Sequence, residues 1–217
     1  MTAHSRSPSQ SPFGPATQRY WELRHTLFHR FDEGICLDEQ GLYSVKPEAI
    51  ALHVARTLPG DTVLDAFCGV GGSAIGFARA GRRVLAVEID AARLEMAKHN
   101  ARLYGVADRI AFAHGDARDA LRTGGFDAVN LDPPWGGPDY YKLPAFRLAD
   151  FAPDGAELLR LAFATTPHVA LCLPKNFAWA ELASFDRTVR IERNVLGGRL
   201  LFRTAYFGPD PEAARVA

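Results

Sequence analysis

The sequence predicts an α/β fold on a mostly parallel, seven-stranded sheet whose last strand runs antiparallel. Three observations carry this. From Asp61 onward, short apolar runs alternate with stretches of helical periodicity, the pattern of parallel strands joined by crossover helices. The first apolar run ends in a glycine-rich turn, Gly69 to Gly72, that leads directly into a helical stretch. Near the C-terminus, two β-rich runs are separated only by Gly197-Gly198, a turn that suits an antiparallel hairpin.

Residues 1–18 are rich in Ser, Pro and Gly and lack apolar periodicity, so a disordered tail is expected there, with structure beginning near Arg19. Residues 19–60 form an N-terminal helical segment. Tyr20, Leu23, Leu27 and Phe31 fall at helical spacing, and a second helix opens at Pro47 with Ser44 as its cap. Residues 61–208 form the core: strands at 62–67, 83–88, 110–113, 126–131, 169–173, 188–196 and 199–207, with helices at 73–80, 91–104 and 155–165. Residues 209–217 are a C-terminal tail, and no second domain or internal repeat is expected. A reversed strand closing a parallel sheet is a feature of class I methyltransferases that dinucleotide-binding oxidoreductases usually lack.

Composition narrows the function. The 217 residues are 47% hydrophobic and carry 25 basic and 25 acidic side chains, and zero formal net charge argues against a broad polyanion-coating surface. Cys36, Cys68 and Cys172 are odd in number and form no C-x-x-C pair, so no disulfide framework, no zinc site and a reducing compartment are expected. No apolar run reaches the roughly 20 residues a membrane span needs, so a cytoplasmic protein without membrane attachment or bound metal is expected.

The candidate site residues gather at predicted strand ends. Val63 to Ala78 places Asp65 just before the Gly69 and Gly71 turn. A carboxylate there would repel a pyrophosphate but attract the ammonium of S-adenosylmethionine. Glu88 ends the second strand, where a carboxylate can accept from both hydroxyls of a ribose, whereas Asp90 suits a helix N-cap. Asp116 follows the third strand as an acceptor for an adenine amine or as a turn residue. After the fourth strand comes Asp132-Pro133-Pro134-Trp135-Gly136-Gly137. Two prolines fix the backbone beyond a carboxylate, and an indole stands beside it. An exocyclic base amine is a poor nucleophile because its lone pair is delocalised. Asp132 and the Pro133 carbonyl can hold its N–H groups while Trp135 stacks on the base.

These residues resemble the trimethylguanosine synthase family of RNA cap guanine-N2 methyltransferases. The likeness covers residues 30–55, the segment VLDAFCGVGGSAIGFA, AVEID, DPPWGGPDY, LPKN at residues 173–176 and TAYFG at residues 204–208. It implies a Rossmann-like class I methyltransferase core, S-adenosylmethionine as donor and an RNA or nucleotide acceptor methylated at guanine N2. The resemblance further implies cofactor contacts at Phe31, Asp65, Phe67, Glu88, Ile89, Asp116 and Ala117, acceptor stacking on Trp135, and substrate contacts at Lys175 and Asn176. Packing in the core is the alternative for Phe31. The chain departs from the family twice: Asp132 stands where the family has Ser, and Lys46 stands where it has Thr. D-P-P-W also resembles adenine-N6 methyltransferases, so adenine N6 or a small-molecule amine is the alternative acceptor. A donor-binding protein without turnover is a further alternative, and a nucleotide-dependent reductase is disfavoured by Asp65 and the terminal hairpin.

Overall fold

The computed structural model describes residues 9–208, so residues 1–8 and the expected tail at 209–217 lie outside the described residues. Structure starts earlier than the sequence suggests. A 3-10 turn at Pro15–Thr17 leads into α1 (Gln18–Trp21), and Thr17 is buried. The Thr17 hydroxyl donates to the Gly14 carbonyl at 2.8 Å, and Ser11 N–H donates to the Gln18 side chain at 2.9 Å. Side-chain bonds to nearby backbone order this stretch, and they leave no trace in apolar periodicity.

The single helix expected over residues 19–31 is instead α1, α2 (Arg24–Leu27) and a 3-10 turn at Phe31–Glu33. The helix is interrupted where Phe28 takes an extended backbone (φ −141, ψ 115), and Trp21, Leu27, Phe28 and Phe31 are all buried. The next helix, α3 (Glu39–Ser44), is unanticipated and is capped by Asp38, which accepts from Gly41 N–H at 2.7 Å. Ser44 is therefore the last residue of α3 and not the cap of α4 (Glu48–Thr57). That helix begins where the Pro47 carbonyl accepts from Ile50 and Ala51.

Seven strands run in the order β3-β2-β1-β4-β5-β7-β6. The chain packs as two compact units, Met1–Thr57 with Cys68–Asp116 and Leu58–Phe67 with Ala117–Ala217. In the first, β2 (Arg83–Glu88) pairs parallel with β3 (Ile110–His114), Glu88 opposite His114, and α5 (Gly72–Arg79) and α6 (Ala91–Leu103) complete the unit. Helix α5 lies so close to α4 that a Cβ on Gly76 would sit 3.0 Å from Ala51, so glycine is what permits the contact. Asp90 caps α6 as expected, accepting from Ala92 at 2.8 Å and Arg93 at 3.1 Å. Glu48 ties α4 to the end of α6. Its carboxylate accepts from the Tyr104 hydroxyl at 2.7 Å, His29 N–H at 2.9 Å and the Arg79 guanidinium.

In the second unit, β1 (Thr62–Asp65) pairs parallel with β4 (Ala128–Leu131), and β4 with β5 (Val169–Leu173). The final strand, β7 (Arg199–Phe207), runs antiparallel as expected, but it inserts between β5 and β6 (Val189–Leu196). One edge of the sheet is thus β6. The helix α7 (Ala117–Thr123) was not anticipated, whereas α8 (Gly155–Thr165) has the expected bounds and is capped by Asp154. Among the described residues, no helix is long and apolar enough to cross a membrane.

Candidate active site

In the first unit the glycine turn and the end of β2 are joined by one carboxylate. Glu88 Oε2 accepts from Gly69 N–H and Oε1 from Asp90 N–H, each at 2.9 Å. Each oxygen keeps a lone pair for a further donor, so the side chain is held in place yet still able to accept from a diol. Gly71 has φ +95 and its missing Cβ would lie 3.1 Å from Ala97, so the turn can pass α6 only with glycine there. The buried Asn100 amide donates to the Val70 carbonyl at 2.9 Å and the Cys36 carbonyl at 2.8 Å, which fixes the turn from beneath.

The other expected contacts in this unit are placed as follows. Ile89, directly after β2, is 69% exposed. Asp116 is half-buried in the residue before α7. Phe31 is buried, edge-on to Trp21 with centroids 5.2 Å apart, which is the packing alternative stated for it. Lys46 is also buried, at 4% exposure, where the related family has a threonine.

In the second unit Asp65 is fully buried at the carboxyl end of β1 and accepts from Asn130 Nδ2 at 2.8 Å. The β1–β4 register sets Asp65 opposite Asn130, two residues before Asp132. Phe67 is half-buried, and Ala117 is buried at the start of α7. In the loop after β4, Asp132 is half-buried, Pro133 buried and Pro134 exposed. Trp135 is half-buried and packs edge-on to Tyr140 at 5.2 Å and against Phe202 of β7 at 6.4 Å. Its indole Nε1 is buried without a hydrogen-bond partner among the described residues. A buried N–H in that condition costs free energy that an acceptor on a ligand would recover.

Asn176 donates to the carbonyls of Tyr140 at 3.3 Å and Leu143 at 2.9 Å, so it fixes the turn that carries Tyr140. Lys175 is exposed, and its backbone carbonyl accepts from Arg203 at 2.9 Å. Sequence reasoning missed Asn130, Tyr140, Phe202 and Arg203. Tyr140 lies within the quoted DPPWGGPDY motif, but the other three reach the site only through strand pairing. A hollow of about 340 Å³ lined by Gly60, Asp127, Thr166 and His168 lies at the amino ends of β1, β4 and β5. Ligands of open α/β sheets bind at the opposite, carboxyl ends.

The sequence model of the RNA cap guanine-N2 methyltransferases matches residues 60–197. The chain is 38% identical over 185 residues to the trimethylguanosine synthase of Schizosaccharomyces pombe, covering 80% of this chain and 77% of that protein. It is 31% identical over 192 residues to that of Saccharomyces cerevisiae, covering 82% and 59%. Among solved structures, a methyltransferase from Porphyromonas gingivalis superposes with a TM-score of 0.69 at 14% identity over 96% of this chain and 55% of that one.

Proposed function

Because the chain belongs to the RNA cap guanine-N2 methyltransferase family, we propose that it methylates N2 of a 7-methylguanosine-like cap, with the strand-end residues of each unit in the roles given below. S-adenosylmethionine is the donor and supplies a methyl group on a sulfonium. The residues present suit it: a positioned carboxylate at Glu88 for ribose hydroxyls, a buried carboxylate at Asp65 for an ammonium, and an uncovered apolar side chain at Ile89 for a purine face.

The observation that carries the acceptor side is Trp135. It is braced by Tyr140 and Phe202, with its indole N–H buried and unpartnered among the described residues, beside the Asp132-Pro133-Pro134 segment in the chain. The indole holds the acceptor base by stacking, and a cationic 7-methylguanine gains further from an electron-rich face. Asp132 and the Pro133 carbonyl accept the amine N–H groups, which orients the nitrogen lone pair and offsets the positive charge that develops on it. Asp132 is also the strongest available acceptor for the proton the nitrogen must shed.

Asp132 in place of the family's Ser supports a second reading, adenine-N6 transfer. A panel of 7-methylguanosine cap analogue, capped RNA, free guanosine nucleotides and adenosine, incubated with labelled donor and resolved by mass spectrometry, tests both. Label on the cap guanine supports the proposal, and label on adenosine alone overturns it. Donor binding without transfer to any acceptor would make the chain a binding protein. A cytoplasmic location belongs to the same proposal, and its support is the cysteine usage of the sequence, three widely spaced residues with no C-x-x-C pair.

A further inference from the structure

The aromatic side chains of the acceptor loop do not stop at Trp135. Phe202, Trp135, Tyr140 and Tyr141 form a series in which each ring meets the next edge-on, with centroids 6.4, 5.2 and 6.3 Å apart. The series runs outward, since Phe202 is buried, Trp135 and Tyr140 are half-buried, and Tyr141 is 64% exposed. Leu143, two residues on, is 40% exposed. One turn thus carries two of the six large apolar side chains that stand out to solvent among the described residues. Scattered single residues of this kind need no explanation, but a pair on one short turn, two rings from the acceptor indole, offers a surface to a ligand.

The turn is built to hold its shape. Residues Pro138–Lys142 form a 3-10 turn, closed where Leu143 N–H donates to the Tyr140 carbonyl at 3.2 Å. Asn176 Nδ2 donates to the Tyr140 carbonyl at 3.3 Å and the Leu143 carbonyl at 2.9 Å, one on either side of Tyr141. Phe146 N–H donates to the Asn176 carbonyl at 2.9 Å, and Ala178 N–H donates to the Phe146 carbonyl at 2.8 Å, which stitches the turn to the chain after β5. An exposed tyrosine on a fixed backbone has few torsions left to lose, so it can hold a flat ligand at low entropic cost. We propose that Tyr141 is a second stacking platform, for the base of the nucleotide joined to the acceptor nucleotide. This rests on the proposed function, in which Trp135 holds the acceptor base. The second base follows the row of rings outward and strengthens binding of the acceptor. Stacking tolerates any base, because every base has a π-face, and it releases no counterions, so its gain persists as salt rises. That suits a chain with zero formal net charge.

The test is calorimetry on protein saturated with S-adenosylhomocysteine, with two ligands: 7-methylguanosine triphosphate and the cap dinucleotide in which adenosine replaces the terminal phosphate's free end. The readout is the ratio of their affinities in wild type, Tyr141→Ala and Tyr141→Phe. Each ratio is taken within one preparation, so loss of folded protein cancels, and comparing ratios between variants cancels the charge difference between the ligands. Tyr141→Ala should lose about fivefold of the dinucleotide's relative affinity, the low end for base stacking because the ring lies at the surface. Tyr141→Phe keeps the ring and should restore the wild-type ratio. The loss should be the same at about 50 mM and about 200 mM salt, a range over which phosphate contacts weaken steeply. A ratio unchanged in Tyr141→Ala, a loss that Tyr141→Phe does not restore, or a loss that fades with salt overturns the platform and leaves the proposed function standing. A wild type that binds S-adenosylhomocysteine but neither cap ligand refutes the proposed function, and the platform with it.

Discussion

The Glu48 carboxylate makes a pH-dependent contribution to stability that can be worked out from its surroundings. Burial pushes its pKa up, but bonds from the Tyr104 hydroxyl, His29 N–H and the Arg79 and His29 side chains outweigh this and hold it at about 2, against 4.5 for the free group. A depressed carboxyl pKa means stability that is present in full above the unfolded value and lost as pH falls through the folded one. The window here is pH 4.5 down to about 2. The gap between those values corresponds to at most about 3.4 kcal/mol at about 1.36 kcal/mol per pH unit. The side chain keeps 16% exposure, and solvent screening lowers this to about 2–3 kcal/mol. Glu48→Gln removes the charge while keeping the shape. Near pH 7 it should lower the melting temperature by about 4–12 °C, given about 2–4 °C per kcal/mol for a chain of this size. Urea unfolding followed by circular dichroism from pH 7 to pH 3 should show the gap between wild type and variant closing as pH falls. Two curves that stay parallel over that range would refute the reasoning.

Other predictions address the site and the packing. Trp135→Ala should raise the acceptor KM by about 5- to 150-fold, the equivalent of losing about 1–3 kcal/mol of base stacking, with donor affinity unchanged in calorimetry. Glu88→Ala removes the acceptor of Gly69 N–H and of the ribose hydroxyls, so S-adenosylhomocysteine binding should weaken by at least about tenfold, the equivalent of one charged hydrogen bond at about 1.5–3 kcal/mol. Asp132→Ala should cut kcat by about 100-fold or more, in line with the loss of a preorganised electrostatic group, while the acceptor KM changes little. Gly76→Val forces α5 away from Ala51 and should cost about 1–3 kcal/mol in denaturant titration, the usual range for overpacking.

The strands were legible wherever an apolar run was bounded by glycine, proline or a charged turn. The bounds of β2, β5, β7 and α8 match those read from the sequence, and Asp90 caps α6 because its position before an apolar-periodic stretch has one common use. The short helices α3 and α7 were not legible, because helices of one or two turns carry too few apolar residues to show a period. The break between α1 and α2 was hidden because Trp21, Leu27, Phe28 and Phe31 share one helical face, so the apolar spacing reads the same whether or not the backbone departs from helix at Leu23 and Phe28. At the site, the residues that end strands could be read directly. Their supports could not, because Asn130 meets Asp65 only through β1–β4 pairing and Phe202 meets Trp135 only once β7 has inserted beside β5. The glycine turn was visible as a motif, but Asn100, which holds it, lies 30 residues from Val70 in the chain.

The central claim is that the acceptor amine is guanine N2, held by Asp132, Pro133 and Trp135. A crystal of the protein with S-adenosylhomocysteine and a 7-methylguanosine cap analogue tests it most directly. The account predicts the base stacked on the Trp135 indole, its N2 donating to the Asp132 carboxylate and the Pro133 carbonyl, and N2 the base atom nearest the thioether sulfur. A base bound away from Trp135, or one that turns another atom toward the sulfur, would contradict it.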